Sequence, residues 1–368
     1  PQGTLFGRNT PAGVVKFESV KPSTRKMEGY GSLSFGTYKT INAEGAVNLP
    51  LSSDLAIRIS ALNQTRSDWV DNTHPNALTK DLEGYRDSAL RVQALYEPSK
   101  TFSALANVHV RDYDGSARLF RANIIQKGSN DLVAGFDPAK VAYDGANESN
   151  VQNYGANLRL RWNLGSMALN SITGFEQVKT FSRGDIDGSA GPYFNAALPF
   201  ASETADGMPK HSQFTQEFRL ESLGSGPLGW QAGVYLFQED YKIESFSYDS
   251  TNASAQDGYQ RVRQKNDAFA LFGAVNYDVS PALKLRGGLR YTRDTKKFSV
   301  EAYDNSGFVP CVLSGKCNLA QLAGQEPDGD LSASPKDSKV NWDLSGTYAL
   351  DKDTNLYARV ATGFRGSS

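Results

Sequence analysis

Charged side chains recur in this chain at every second position, opposite apolar ones. Arg159 and Arg161 alternate with Leu158, Leu160 and Trp162. Glu217, Arg219 and Glu221 alternate with Phe218 and Leu220, and Lys284, Arg286 and Arg290 with Leu285, Leu289 and Tyr291. Guanidinium and carboxylate groups presented on one face can make bidentate, charge-assisted contacts with an opposing surface and release them again. Other reactive types are sparse. His74, His109 and His211 are scattered and lack metal-ligand spacing. Asp185-Ile186-Asp187-Gly188 and Asp328-Gly329-Asp330 are short acidic runs of a kind that binds calcium, without the full ligand set of a calcium loop. Cys311 and Cys317 lie in a polar, Gly-rich stretch, where they form a small disulfide or stay two surface thiols. The sequence has no phosphate-binding loop, dinucleotide fingerprint, nucleophile elbow or zinc-protease motif. No catalytic residue, resident metal or cofactor is therefore assigned.

Composition narrows the classes. The 368 residues carry 39 basic and 40 acidic side chains, a net charge of -1, which lacks the basic footprint of a nucleic-acid binder. Hydrophobic residues make up 39% and the mean hydropathy is -0.47, with no apolar run as long as a membrane helix. A transmembrane β-barrel escapes that test, because strands that alternate apolar and polar residues average to a polar value.

The elements that must position these charges have period two. Besides the three stretches above, Leu55, Ile57 and Ile59 alternate with Ala56, Arg58 and Ser60, and Leu90, Val92 and Ala94 with Arg91 and Gln93. Short turn clusters recur at Pro50–Asp54, Glu97–Thr101, Asn163–Ser166, Leu223–Gly229, Asp278–Ala282 and Leu350–Thr354. Between them lie pairs of strands and longer polar segments: Ser67–Arg86, Gly115–Val151, Phe181–Gln213, Lys242–Lys265 and Tyr303–Lys339. Tight turns at one end and long loops at the other are the outer-membrane barrel pattern. About 13 strands are expected by this spacing, most of them reaching the ~9–11 residues of a tilted membrane strand. Trp162, Trp230, Tyr277, Tyr291 and Tyr96 fall near strand ends, where an aromatic girdle sits. A soluble sandwich or propeller would also alternate, but with the apolar face packed inward. Both ends of the sequence read as cut, so the chain is expected to be an internal piece of a longer protein.

Residues 1–22 differ from the rest. Gly3-Thr4-Leu5-Phe6-Gly7-Arg8-Asn9, then Gly13-Val14-Val15 and Lys21-Pro22, resemble the end of the plug domain in TonB-dependent receptors. Phe6 stands where tyrosine is common and Ala12 where a second glycine is common. Three further stretches match that family in order: Glu44-Gly45-Ala46-Val47-Asn48-Leu49-Pro50-Leu51, Gln216-Glu217-Phe218-Arg219-Leu220-Glu221-Ser222, and Tyr357 to Arg365. The resemblance covers essentially the whole chain.

It implies an all-β fold, part of a 22-strand antiparallel barrel, with the plug ending in residues 1–22 and the barrel occupying residues 23–368. It implies a Gram-negative outer-membrane location in contact with lipid, a monomer, and import of a ferric siderophore or similar bulky nutrient such as cobalamin or an oligosaccharide. TonB, with ExbB and ExbD, would drive the plug. A non-transporting surface barrel, such as an adhesin or passive porin, is the rival. By position in the family motifs, Arg8 of the plug would meet Glu217, beside Arg219, on the barrel wall. Ligand contacts would come from the long-loop end, where Trp69, His74, Tyr143, Tyr193, Phe194, His211, Tyr248 and Tyr259 are candidates.

Overall fold

The computed structural model describes residues 18–122, 124–188, 203–249, 255–304 and 331–363. These form one 14-stranded sheet and a small three-stranded sheet. The wall runs as β1 (Glu28–Gly36), β2 (Thr40–Pro50), β3 (Leu55–Arg66), then β6 (Tyr85–Ser99), β7 (Phe102–Gly115) and β9 (Glu148–Asn163). It continues through β10 (Met167–Asp185), β11 (Glu203–Ser222), β12 (Leu228–Asp249), β13 (Ala255–Asp278) and β14 (Leu283–Asp304), and ends with β16 (Lys336–Ala349) and β17 (Asn355–Ala361). Each pairs antiparallel with the next, and β15 (Leu331–Ala333) adds to β14 off the path. The 13 strands of that path equal the number expected from the turn spacing. Strands β4 (Val70–Asn72), β5 (Asp81–Leu82) and β8 (Lys140–Val141) make the small sheet, which lies between wall strands in the chain.

Side-chain direction is inverted relative to a soluble sheet. Leu158, Leu285, Leu289 and Phe218 are exposed, Leu289 at 56%. Their neighbours on the other face are buried: Arg290 at 2%, Glu217 at 7%, with Arg58, Gln93, Asn107 and Asn266. On β13 the outward apolar side chains run from Tyr277 through Val275 and Leu271 to Phe269. That is the ~9–11 residues a tilted strand spends in hydrocarbon. Beyond it the outward positions become charged, at Asp267 on β13, Asp240 on β12, Asp112 on β7 and Arg293 on β14. Lys210 lies 2.8 Å from Asp240, closing an ion pair on the outer face just above that border. Tyr96, Trp162, Trp230 and Tyr277 sit at the tight-turn edge of the band, and Tyr291 near its upper edge.

The register shows that the strands are slanted. One inward row passes across the wall through Asn48, Arg58, Gln93, Asn107, Asn157, Gly174, Thr215, Phe237, Ala268 and Asp294. It starts two residues from the end of β2 at Pro50 and finishes eleven residues from the start of β14 at Leu283. A row that climbs from strand to strand is the stagger of a barrel wall.

Three expectations change. The segments Phe181–Gln213, Lys242–Lys265 and Tyr303–Lys339 are not loops throughout. β12 and β13 reach 22 and 24 residues, ending at Asp249 and beginning at Ala255. Backbone pairing needs no apolar face where water solvates both sides, so polar sequence still extends the ladder. The first hairpin has only Thr37–Lys39 at the long-loop end, with Tyr38 and Lys39 in the left-handed region at φ 58° and 54°. The inner face also has an apolar patch, Tyr235, Phe237, Ala270, Phe272 and Ala274. Gly233 makes room for it, since a Cβ there would stand 2.5 Å from Phe272 Cζ.

Replacing Leu271 by arginine puts a cation on the outer face near the middle of the apolar band. It should cost about 2–4 kcal/mol of folding stability in lipid vesicles. Arginine in place of inward-facing Thr215 should cost far less. Chemical unfolding of the two variants compares them, and equal losses would contradict the assigned faces.

Candidate functional site

The inner wall carries a connected set of charges at β9–β11. Arg161 bonds Glu221 and donates to Asn170 Oδ1 at 3.0 Å. Arg219 reaches Glu221 Oε2 at 3.7 Å and Glu217 Oε1 at 3.3 Å. Cross-strand and two-residue spacing place all four on one face, because β11 pairs Glu221 with Ala168 and Arg219 with Asn170. Arg290, on β14, lies with its guanidinium 5.6 Å from the Tyr235 ring centroid and 5.7 Å from that of Phe272, a cation–π arrangement. Its Nη1 has no hydrogen-bond partner. Further round, Arg111 makes a two-point contact with Asp87 at 2.9 and 2.7 Å, and His109 Nε2 is 3.1 Å from Glu176 Oε2. A cavity of about 550 Å³ opens beside these groups, lined in part by Glu44, Ser60, Arg91 and Asn153.

The described N-terminal segment joins this wall. Asn48, 1% exposed, accepts from the Ser23 amide at 2.8 Å and donates to the carbonyls of Ser23 and Lys26 at 2.8 and 2.7 Å. Arg91 Nη1 donates to Ser19 Oγ at 2.5 Å. The asparagine was visible in the sequence only as part of a strand-end match; its clamping role depends on a long-range contact that spacing does not reveal.

At the opposite end, the connections after β3 and β7 fold together. Val70, Leu82, Val141 and Tyr143 form their core, with Trp69 and Leu119 packed against it. Asn72 locks the two connections, accepting from the Tyr143 amide at 2.9 Å and donating to the carbonyls of Tyr143 and Thr79. Trp69 stacks on Tyr38, with centroids 5.1 Å apart. Against this cap stand Asp144, Asp185 and Asp187, each able to offer a carboxylate oxygen within 4.8 Å of the other two. Burial, then the neighbouring Asp187, push the Asp185 carboxyl up to about 8; burial also raises Asp144. Nearby, buried Glu203 bonds Arg183 and accepts from the Ala146 amide, and Arg183 covers the Tyr248 ring at 3.8 Å.

A family model described as the TonB dependent receptor-like β-barrel matches residues 58–368. The chain belongs to the TonB-dependent receptor family. Solved structures with the same fold include the ferric yersiniabactin uptake receptor FyuA from Yersinia pestis, at a TM-score of 0.70 and 16% identity over 94% of this chain and 48% of that one. The closed form of the ferric-catecholate import receptor Fiu from K12 E. coli gives 0.68 and 14%, over 98% and 53%. The siderophore receptor PiuA from Acinetobacter baumannii gives 0.62 and 11%, over 94% and 50%. The chain therefore spans about half the length of these receptors. At such identities the likeness is one of fold.

The candidate residues of this receptor fall in three places. Glu217 and Arg219 lie together on the inner wall, as alternation placed them; Arg8 lies outside the described residues, as do Tyr193, Phe194, Cys311 and Cys317. Trp69, His74 and Tyr143 share the cap. Tyr143 is fully buried and its hydroxyl bonds the Phe120 carbonyl, so it holds the cap together from within. His74 accepts from the Asn76 amide at 3.3 Å. His211 faces the lumen 3.0 Å from Glu239 Oε1. Tyr248 and Tyr259 pack on either side of Phe246, and Tyr259 lies on the outward face of β13 above the charged border, with its hydroxyl donating to Glu244 at 2.7 Å. Asp144 was missed. It joins Asp185 from a different connection, and no spacing signal links them.

Asn72→Ala should leave buried backbone groups of the cap without partners, at about 1–3 kcal/mol each. Limited proteolysis should then cut within residues 67–84 while the barrel's melting temperature stays unchanged. Above the outer border, burial raises the Glu244 carboxyl, but Lys242 and the Tyr259 hydroxyl outweigh it and hold the group below the usual carboxylate range. The contribution of a depressed acid is present above its unfolded pKa, roughly 4.3, and fades as pH falls through the folded value. Amide protection in the upper halves of β12 and β13 should therefore hold at neutral pH and drop in acid. Tyr259→Phe should weaken that dependence.

Proposed function

We propose that the protein containing this chain resides in the outer membrane of a Gram-negative bacterium and imports a ferric siderophore by TonB-dependent active transport. The observation that carries the reading is the wall itself: an outward apolar band, a charged inner face, and membership of the TonB-dependent receptor family. Ligand would bind at the long-loop end, over the cap and the outward apices of the plug. Binding would shift the plug toward a state that engages TonB, with ExbB and ExbD supplying the proton-driven work. The neighbouring structures named for ferric yersiniabactin, ferric-catecholate and siderophore uptake support the substrate class. Aromatic surface near the cap, Trp69 on Tyr38, suits a flat aryl or catecholate ligand. Residues 1–22 act as the end of the plug and residues 23–368 as wall, with Arg8 meeting the Glu217–Arg219 pair.

Loss of the gene should abolish uptake of one class of radiolabelled ferric chelate by iron-starved cells, and loss of TonB should do the same. Uptake that persists without TonB, or a defect confined to cobalamin or an oligosaccharide, would redirect the assignment. In the intact receptor, Glu217→Ala should increase hydrogen exchange within residues 1–22 while the strands keep theirs. Unchanged exchange there would sink the Arg8–Glu217 contact.

A further inference from the structure

We propose that Asp144, Asp185 and Asp187 form a calcium site that staples the connection after β7 to the end of β10. The three carboxylates come from two chain segments and can each place an oxygen within 4.8 Å of the others. Three negative groups at that distance repel one another unless a cation or protons sit among them. Asp185 is 1% exposed, and its Oδ1 accepts from the Gly188 amide at 3.0 Å. Its Oδ2 and Asp144 Oδ1 are buried with no amide, hydroxyl or cationic donor; what faces them is the other carboxyls of the cluster. Neither residue forms an ion pair among the described residues; the nearby Arg183 is committed to Glu203 and Tyr248. Buried carboxylate oxygens without donors cost free energy that a bound cation removes.

The donor set selects the metal. All three ligands are hard oxygens, with neither thiolate nor imidazole in the group, which disfavours zinc and copper. Calcium accepts six to eight oxygens in irregular geometry, so water and backbone carbonyls can complete a shell begun by three carboxylates; magnesium demands a near-ideal octahedron. Gly188, in the left-handed region at φ 88°, donates its amide to Asp185 Oδ1 and so closes a tight turn around Asp187. A Cβ at Gly188 would lie 2.4 Å from the Ala122 amide nitrogen, so the turn is pressed against the connection that carries Asp144. The site's position outside the cell rests on the barrel reading, and extracellular calcium modules typically bind at roughly 10⁻⁴–10⁻³ M.

The test uses the full-length receptor purified in detergent and stripped with chelator. Calorimetric titration with calcium chloride should show one saturable site per chain in that range. Saturation should slow proteolysis within residues 116–147. Asp185→Asn should weaken binding at least tenfold. Asp144→Asn, at a half-buried position on the other segment, should do likewise and serves if the first variant misfolds. Absence of calcium binding by the wild type, equal protection by magnesium, or undiminished affinity in both variants would overturn the proposal. The readout is metal binding rather than uptake, so failure of the import reading leaves this result interpretable, and the reverse.

Discussion

A backbone amide inside hydrocarbon has no water to bond, so every strand that crosses must find its partner sideways. That requirement accounts for most of what the chain looks like. The wall is an unbroken antiparallel meander in which neighbours in sequence are neighbours in space. Its polarity is the reverse of a soluble sheet, because lipid takes the place of a protein core on the apolar face. Within the apolar band the charged groups then have only the interior to occupy, and they satisfy one another there, as Arg161, Glu221, Arg219 and Glu217 do.

The alternation of side chains and the tight turns were legible in the sequence because both are local. Leu289 outward and Arg290 inward follow from a period of two, and Asp278–Ala282 reads as a turn from its own residues. Strand length above the membrane was not legible. In Lys242–Tyr248 the polar and aromatic residues continue the ladder, yet Ile243 falls on one face and Phe246 on the other, so neither face is consistently apolar and the stretch reads as loop. The inner aromatic patch was also hidden. Tyr235 and Phe272 lie on the face that alternation marks as wet, and the pairing of β12 with β13 is needed to see that Gly233 leaves them space.

The two functional regions differ in the same way. Glu217 and Arg219 could be picked from β11 alone. The cap could not, since Asn72 and Tyr143 lie 71 positions apart and meet only once two connections have folded against each other. Trp69 and Tyr143 were chosen for aromatic character, and the structure separates their roles: one ring stacks on Tyr38, the other is sealed inside. Residue type proposes contacts; only placement distinguishes a surface from the scaffold beneath it.

Asn48 has a mechanical consequence. Its single side chain grips the strand leader at Ser23 and Lys26, close to the end of β2, with three hydrogen bonds. Tension applied to the chain ahead of residue 18 reaches the wall first through the Arg91–Ser19 contact and then through this grip. Each bond is worth about 1 kcal/mol net, far less than the ladder behind it. The leader would therefore peel away before β1 yields, and the wall could keep its shape while whatever lies upstream is drawn out.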